Sequence, residues 1–207
     1  MIELEQSRTG QPVLKLNGRY LASSFDPIKE AFAWANRAAA DLGSKGAAII
    51  IGAGCGYHIA ALKEKCPNIL IVALELDSEI AKHALSWNPI LSAHNIVIAS
   101  SLTDLTDEPR LRDALAGTYA VLPHLPTADA HPEWALQTAQ FLLGRDKLSF
   151  LLQLRMRPEL HCLLDPKKIA ALGNEPVSIK TLQRLYSDTA THARERQIWR
   201  VLEELVL

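Results

Sequence analysis

Three glycines at alternate positions, Gly52, Gly54 and Gly56, sit inside "AAIIIGAGCGYHIAAL", between an apolar run and a helical pattern. Glycine lets a ligand come close to the backbone. The helix N-terminus that follows offers free N–H groups and a positive dipole end to an anion. Gly52, Ala53, Gly54, Cys55, Gly56 and Tyr57 are therefore candidate ligand-binding residues for a phosphate, a ribose or an amino-acid moiety. Glu75 ends the next apolar run, with Leu76 beside it. A carboxylate at that strand end is placed to accept hydrogen bonds from ribose hydroxyls. Ser100 and Ser101, with Asp104, follow the third apolar run, where the edge of a base would be read.

Four further groups have chemistry to offer. His58 lies on the first helical turn after the glycines, where a neutral imidazole can donate to a phosphate or carboxylate and the helix end lowers its pKa. It is a candidate catalytic residue, with packing beside Tyr57 as the structural alternative. Cys55 needs a neighbouring base to be a nucleophile, and is otherwise a small residue between glycines. "LPHLPTADAHPEW" holds His124, Asp129, His131 and Glu133 at the exit of a fourth apolar run. His124 is a candidate general base and substrate contact. The spacing of His124, Asp129 and His131 matches no standard site, and no metal is expected there. In "SSFDPIKEA", Ser24, Asp26 and Lys29 are candidate substrate contacts, and Asp26 is equally a helix cap.

The elements behind these residues alternate. "PVLKLNGRYLAS" reads as a hairpin over Val13 to Ala22, turning at Asn17-Gly18. A helix follows, with Asp26 as cap, Pro27 at its first position, Gly43 past its end, and Ile28, Ala31, Phe32 and Ala35 on one face. Strands are expected at Ala47–Ile51, "ILIVALE", "NIVIAS", "TYAVLPHL" and "KLSFLLQL". Helices are expected at Tyr57–Lys65, "DSEIAKHALSW", Glu108–Ala116 and "HPEWALQTAQFLLG". Continuous apolar strands joined by helices predict a doubly wound, mainly parallel α/β sheet. The domain is expected over 1–157, with a helical extension over 158–207. Ile198, Trp199, Leu202, Leu205 and Val206 form a stripe on the last helix, for packing on the domain or for a homodimer seam.

Bulk properties bound the function. The chain has 207 residues, 48% of them hydrophobic and 22% charged, with net charge −1. That is a globular composition without the basic field that nucleic acid or an anionic membrane attracts. Three cysteines without CxxC spacing argue against a disulfide framework or structural zinc. No signal-peptide pattern and no membrane-length apolar run occur, so a cytoplasmic location and a small-molecule ligand are expected.

The spacing is GxGxG, not the GxGxxG of NAD or FAD sites, and no GxxxxGK[ST] loop for a nucleoside triphosphate is present. "IIIGAGCG" followed by "IVALELD" resembles class I S-adenosylmethionine-dependent methyltransferases. The position two before the first glycine, acidic in those enzymes, is Ile50 here. "NGRYLASSFDPIKEAFAWA" followed by "IIIGAGCGYHIAALKEKCP" is similar to the motility accessory factor family and to archaeal hydroxymethylpterin pyrophosphokinase-like proteins. The matching residues are Ser24, Asp26, Pro27, Glu30 and Ala31, then Gly52, Gly54, Gly56, Tyr57 and His58. These resemblances imply a methyltransferase-like Rossmann core. The first functional expectation is a transferase binding S-adenosylmethionine or a related nucleoside. The second is a sugar or pyrophosphoryl transferase using a nucleotide with magnesium, and the third is a binding module without chemistry.

Overall fold

The computed structural model describes residues 1–144 and Ser149. The chain divides into two compact units, Met1–Leu143 and Gly144–Leu207, and the described strands all belong to the first. The helical extension and its apolar stripe lie outside the described residues. So does the strand expected at "KLSFLLQL", except for Ser149, which is helical.

The first unit is α/β. β1 (Ile2–Gln6), β2 (Pro12–Leu16) and β3 (Arg19–Tyr20) form a small antiparallel sheet. Asn17 and Gly18 turn the β2–β3 hairpin at φ 49° and 80°, the left-handed pair that a type I′ turn needs. β1 was not expected from the sequence. Its alternation of Ile2 and Leu4 with Glu3 and Glu5 is a strand pattern, yet Leu4 remains exposed at this outer edge.

α1 (Pro27–Leu42) begins as the sequence predicts: Asp26 Oδ1 accepts from the Lys29 N–H at 3.0 Å, and Gly43 ends the helix at φ 53°. Its buried face is Pro27, Ala31, Ala35, Ala38 and Leu42. Phe32, expected on that face, is 48% exposed. The small residues let α1 pack closely on α2 (Tyr57–Lys65).

The main sheet holds β4 (Ala47–Ile51), β5 (Leu70–Glu75), β6 (Ile96–Ile98) and β7 (Tyr119–Pro123), all parallel, in the order β6-β5-β4-β7. Between them run α3 (Ser78–Trp87), α4 (Leu102–Asp107) and α5 (Pro109–Ala116). β4 is central and buried throughout, as its continuous "AAIII" demands; each fully buried isoleucine contributes about 1.5–3 kcal/mol. Register sets Ile51 beside Leu74 and Pro123, and Glu75 beside Ile98, so all four carboxyl ends form one edge. β7 stops at Pro123 rather than running to Leu125. His124 instead caps α6 (Leu125–Ala130), a helix not expected from the sequence, and α7 (Pro132–Leu143) follows. No described helix is long and apolar enough to cross a membrane.

Candidate functional site

The glycine turn leaves β4 and enters α2 as expected. Gly52, Gly54 and Gly56 take φ of 98°, 48° and 81°, a region that L side chains rarely adopt. The open cradle expected there is not present. Every residue from Gly52 to His58 is buried, and protein atoms fill the space above each glycine. A Cβ on Gly52 would lie 2.5 Å from Thr127 Cβ, one on Gly54 would lie 2.9 Å from His124 Cε1, and one on Gly56 would lie 2.6 Å from Asn88 Nδ2. The chain itself makes the close approach that these glycines permit.

Glu75 likewise turns inward. It is fully buried, and its carboxylate takes four backbone N–H groups. Oε2 accepts from Ala53 at 2.8 Å and Gly54 at 3.2 Å, and Oε1 accepts from Leu76 at 2.9 Å and Asp77 at 3.2 Å. Burial pushes its carboxyl up, while the Asp77, Ala53, Gly54 and Leu76 donors pull against that. The ribose role expected for Glu75 is corrected: its lone pairs clamp the glycine turn to the end of β5. Leu76 takes part only through its backbone. Asn88, not singled out in the sequence, completes the clamp from the far side, donating to Cys55 O at 3.0 Å and Ala84 O at 2.7 Å.

The segment from His124 to Trp134 runs across the carboxyl edge of the sheet. Thr127 covers Gly52 and Gly54 at the end of β4. His131 lies near enough to Asp77, just past β5, for that charge to offset part of the lowering that burial imposes on its pKa. Trp134 Nε1 donates to Ala99 O, just past β6, at 2.8 Å. Open parallel sheets bind ligands along this edge, and here the chain's own strap occupies it.

Other expected contacts are local. Ser101 caps α4, and the Asp104 carboxylate accepts from the Ser100 hydroxyl and from the Ser100 and Ser101 N–H groups, which lowers its pKa. That closed capping box, not a base edge, is what Ser100 and Ser101 serve. Asp26 is a helix cap, Ser24 offers its carbonyl to the Arg8 N–H, and Lys29 points to solvent. The Cys55 thiol is buried, accepts from the Leu14 N–H at 3.3 Å, and is pushed up to about 12 by burial, so it is no thiolate nucleophile. Among the described residues, no three His, Cys, Asp or Glu side chains converge as metal ligands.

Among the described residues, a pocket of about 230 Å³ opens between α1, the glycine turn and the start of α6. Pro27, Ala31 and Trp34 wall one side, Leu125 and Pro126 the other, and His58 and His124 also line it. The two imidazoles stack face to face, with centroids 3.8 Å apart and planes within 1°. Trp34 meets His58 edge-on at 4.9 Å. His58 Nε2 faces Gly52 O at 3.2 Å, and a carbonyl only accepts, so Nε2 carries the proton and Nδ1 is left as a lone pair. His124 Nδ1 pairs with Thr127 Oγ1 at 2.9 Å. Burial holds His58 down to about 3; burial and the His58 ring hold His124 well below the usual histidine value. Both rings are neutral at pH 7, and for His58 the cause is burial rather than the helix end expected from the sequence. Held down in this way they are weak bases, and the unprotonated nitrogen of each ring can accept a hydrogen bond.

No family model, curated protein or solved structure matches the chain. The site is therefore read from its geometry alone. Sequence reasoning found His58 and His124 but neither their stacking nor the roles of Trp34, Asn88 and Thr127. The 3-4-3 spacing of His124, Thr127, His131 and Trp134 was the available signal for the strap.

Proposed function

We propose that this chain is a small-molecule-binding domain on a Rossmann-type, doubly wound α/β scaffold, with its ligand in the pocket between α1, the glycine turn and α6. One observation carries this reading: the pocket is lined by two buried neutral imidazoles while the usual ligand edge is filled by the chain's own strap. Buried polar groups facing a cavity without a protein partner are where a ligand gains affinity. The test is a fragment screen on the full chain, read by NMR of the His58 and His124 ring signals and the Trp34 indole. Pocket ligands move these three together. Fragments that bind only elsewhere would overturn the reading.

A second reading is a transferase that takes S-adenosylmethionine, or a nucleotide or nucleotide sugar with magnesium, across the glycine turn. The strand order β6-β5-β4-β7, with the turn at the end of central β4, favours it, as do the methyltransferase and motility accessory factor resemblances. It requires the 124–134 strap to lift, because Thr127 and His124 stand where the ligand would lie. Thermal shift with S-adenosylhomocysteine, ATP and a CMP-linked sugar, with and without magnesium, tests it. A ligand at about 100 times its Kd stabilises by about 2.7 kcal/mol. Trp134→Phe, which removes the anchor to Ala99, should enlarge any such shift. Silence from both proteins rejects the transferase.

A further inference from the structure

The pocket has a definite chemical character. Its walls are apolar along Leu21, Ala22, Ala31 and Leu125, with the flat faces of Pro27 and Trp34 among them. Its size lies between an apolar cavity of about 150 Å³, which accepts benzene, and the lower end of drug-sized sites at about 300 Å³. That suits a ligand of one or two rings. His58, only 4% exposed, lines the pocket; with Nε2 given to Gly52 O, its Nδ1 lone pair has no protein hydrogen-bond partner. A lone pair attracts an N–H or O–H and repels a carboxylate or phosphate oxygen. Arg37 lines the pocket from its exposed side.

We infer that this pocket binds a small neutral aromatic hydrogen-bond donor of the phenol, indole or aminopurine type. The N–H or O–H lies on His58 Nδ1 and the ring between Trp34 and Leu125. The assignment rests on the pocket proposed as the ligand site and deepens it by naming the ligand class. Glu30, the acidic group lining the pocket, gives one carboxylate oxygen to the Ser23 N–H at 2.6 Å. It adds a second barrier to anions on that side.

The test compares phenol, indole and adenine with benzoate and cyclohexanecarboxylate on the full chain, by thermal shift and by the ¹⁵N resonance of His58 Nδ1. That resonance moves when the nitrogen accepts a hydrogen bond and stays when a ligand merely packs nearby. The expected result is stabilisation by the donors with movement of the Nδ1 resonance, at least tenfold weaker binding of the carboxylates, and at least tenfold weaker binding of the donors to Leu125→Trp. Leu125 is 63% exposed, so this substitution narrows the pocket without disturbing the core. If the carboxylates bind as well as the donors, or the donors bind without moving Nδ1, the ligand class is wrong and the pocket reading stands. If no probe moves any pocket signal, both are wrong.

Discussion

Replacing Glu75 by glutamine asks whether this carboxylate holds the turn or waits for a ligand. Glu75→Gln keeps the shape but makes one oxygen an NH₂. Whichever way the amide is placed, that NH₂ faces two backbone N–H groups, either Ala53 and Gly54 or Leu76 and Asp77. Two buried donors lose their acceptor at about 1–3 kcal/mol each, so the expected loss is about 2–6 kcal/mol. A domain has only about 5–15 kcal/mol in total. With urea slopes of about 1–3 kcal/mol per molar, a loss of about 3 kcal/mol moves the midpoint by about 1 M or more at constant slope. Urea denaturation followed by circular dichroism at pH 7 reads this directly. A carboxylate free to hold a ribose would make the substitution nearly silent, within about 0.5 kcal/mol as at ordinary surface positions. A measured loss under about 1 kcal/mol refutes the clamp. Glu75→Ala is the poorer tool, because it orphans all four donors and risks the fold itself.

Gly52→Ala should lose about 2–5 kcal/mol by the same assay, combining a φ of 98° with overpacking against Thr127; a loss under about 1 kcal/mol would mean that Thr127 yields easily. Cys55 should resist iodoacetamide at pH 8 in the native chain and react only on unfolding, as its burial and raised pKa require; labelling under native conditions would count against the packed turn. For His58 the sign follows from a folded pKa held below the unfolded value of about 6.5. The unfolded chain binds the extra proton, so the contribution is full above pH 6.5 and is lost as pH falls toward 3. At pH 4.5 His58 alone should cost roughly 2–3 kcal/mol relative to pH 7, and an imidazole Cε1–H titration with a midpoint near 6.5 would refute it.

Local rules read well from this sequence. Asn17-Gly18, the Asp26-Pro27 helix start and the Gly43 stop are each fixed by one or two residues with a strong backbone preference, and each appears where expected. The central strand is equally plain, because five consecutive apolar residues suit only a position buried on both faces. Phe32 was misplaced because α1 packs through alanines, and helical spacing alone does not say which edge of an apolar stripe meets α2. α6 was hidden by Pro126 and the polar "TADA", which also describe a loop. At the site the sequence named residues that the structure brings together, but not the directions in which they point. Glu75 was identified as an acceptor at a strand end, but sequence carries no sign of which donors reach it first.

The same ambiguity explains the glycine turn. A positive φ and a missing Cβ report that something comes within about 3 Å of the backbone, and they do not report what. If a ligand were the reason for Gly52, Gly54 and Gly56, the direction of each absent Cβ would open onto empty space. Here those directions end on Thr127, His124 and Asn88. The pattern is thus fully accounted for by the chain's own packing, and it no longer argues for a nucleoside by itself. The case for a ligand moves to the pocket and to the ring nitrogen that lines it without a protein donor. Glu75 has four donors, Asp104 has its capping box and Cys55 has the Leu14 N–H, whereas Nδ1 of the pocket-lining His58 has none. A lone pair on a pocket-lining residue can take a donor from a ligand, which makes His58, rather than the glycines beside it, the residue on which the functional reading turns.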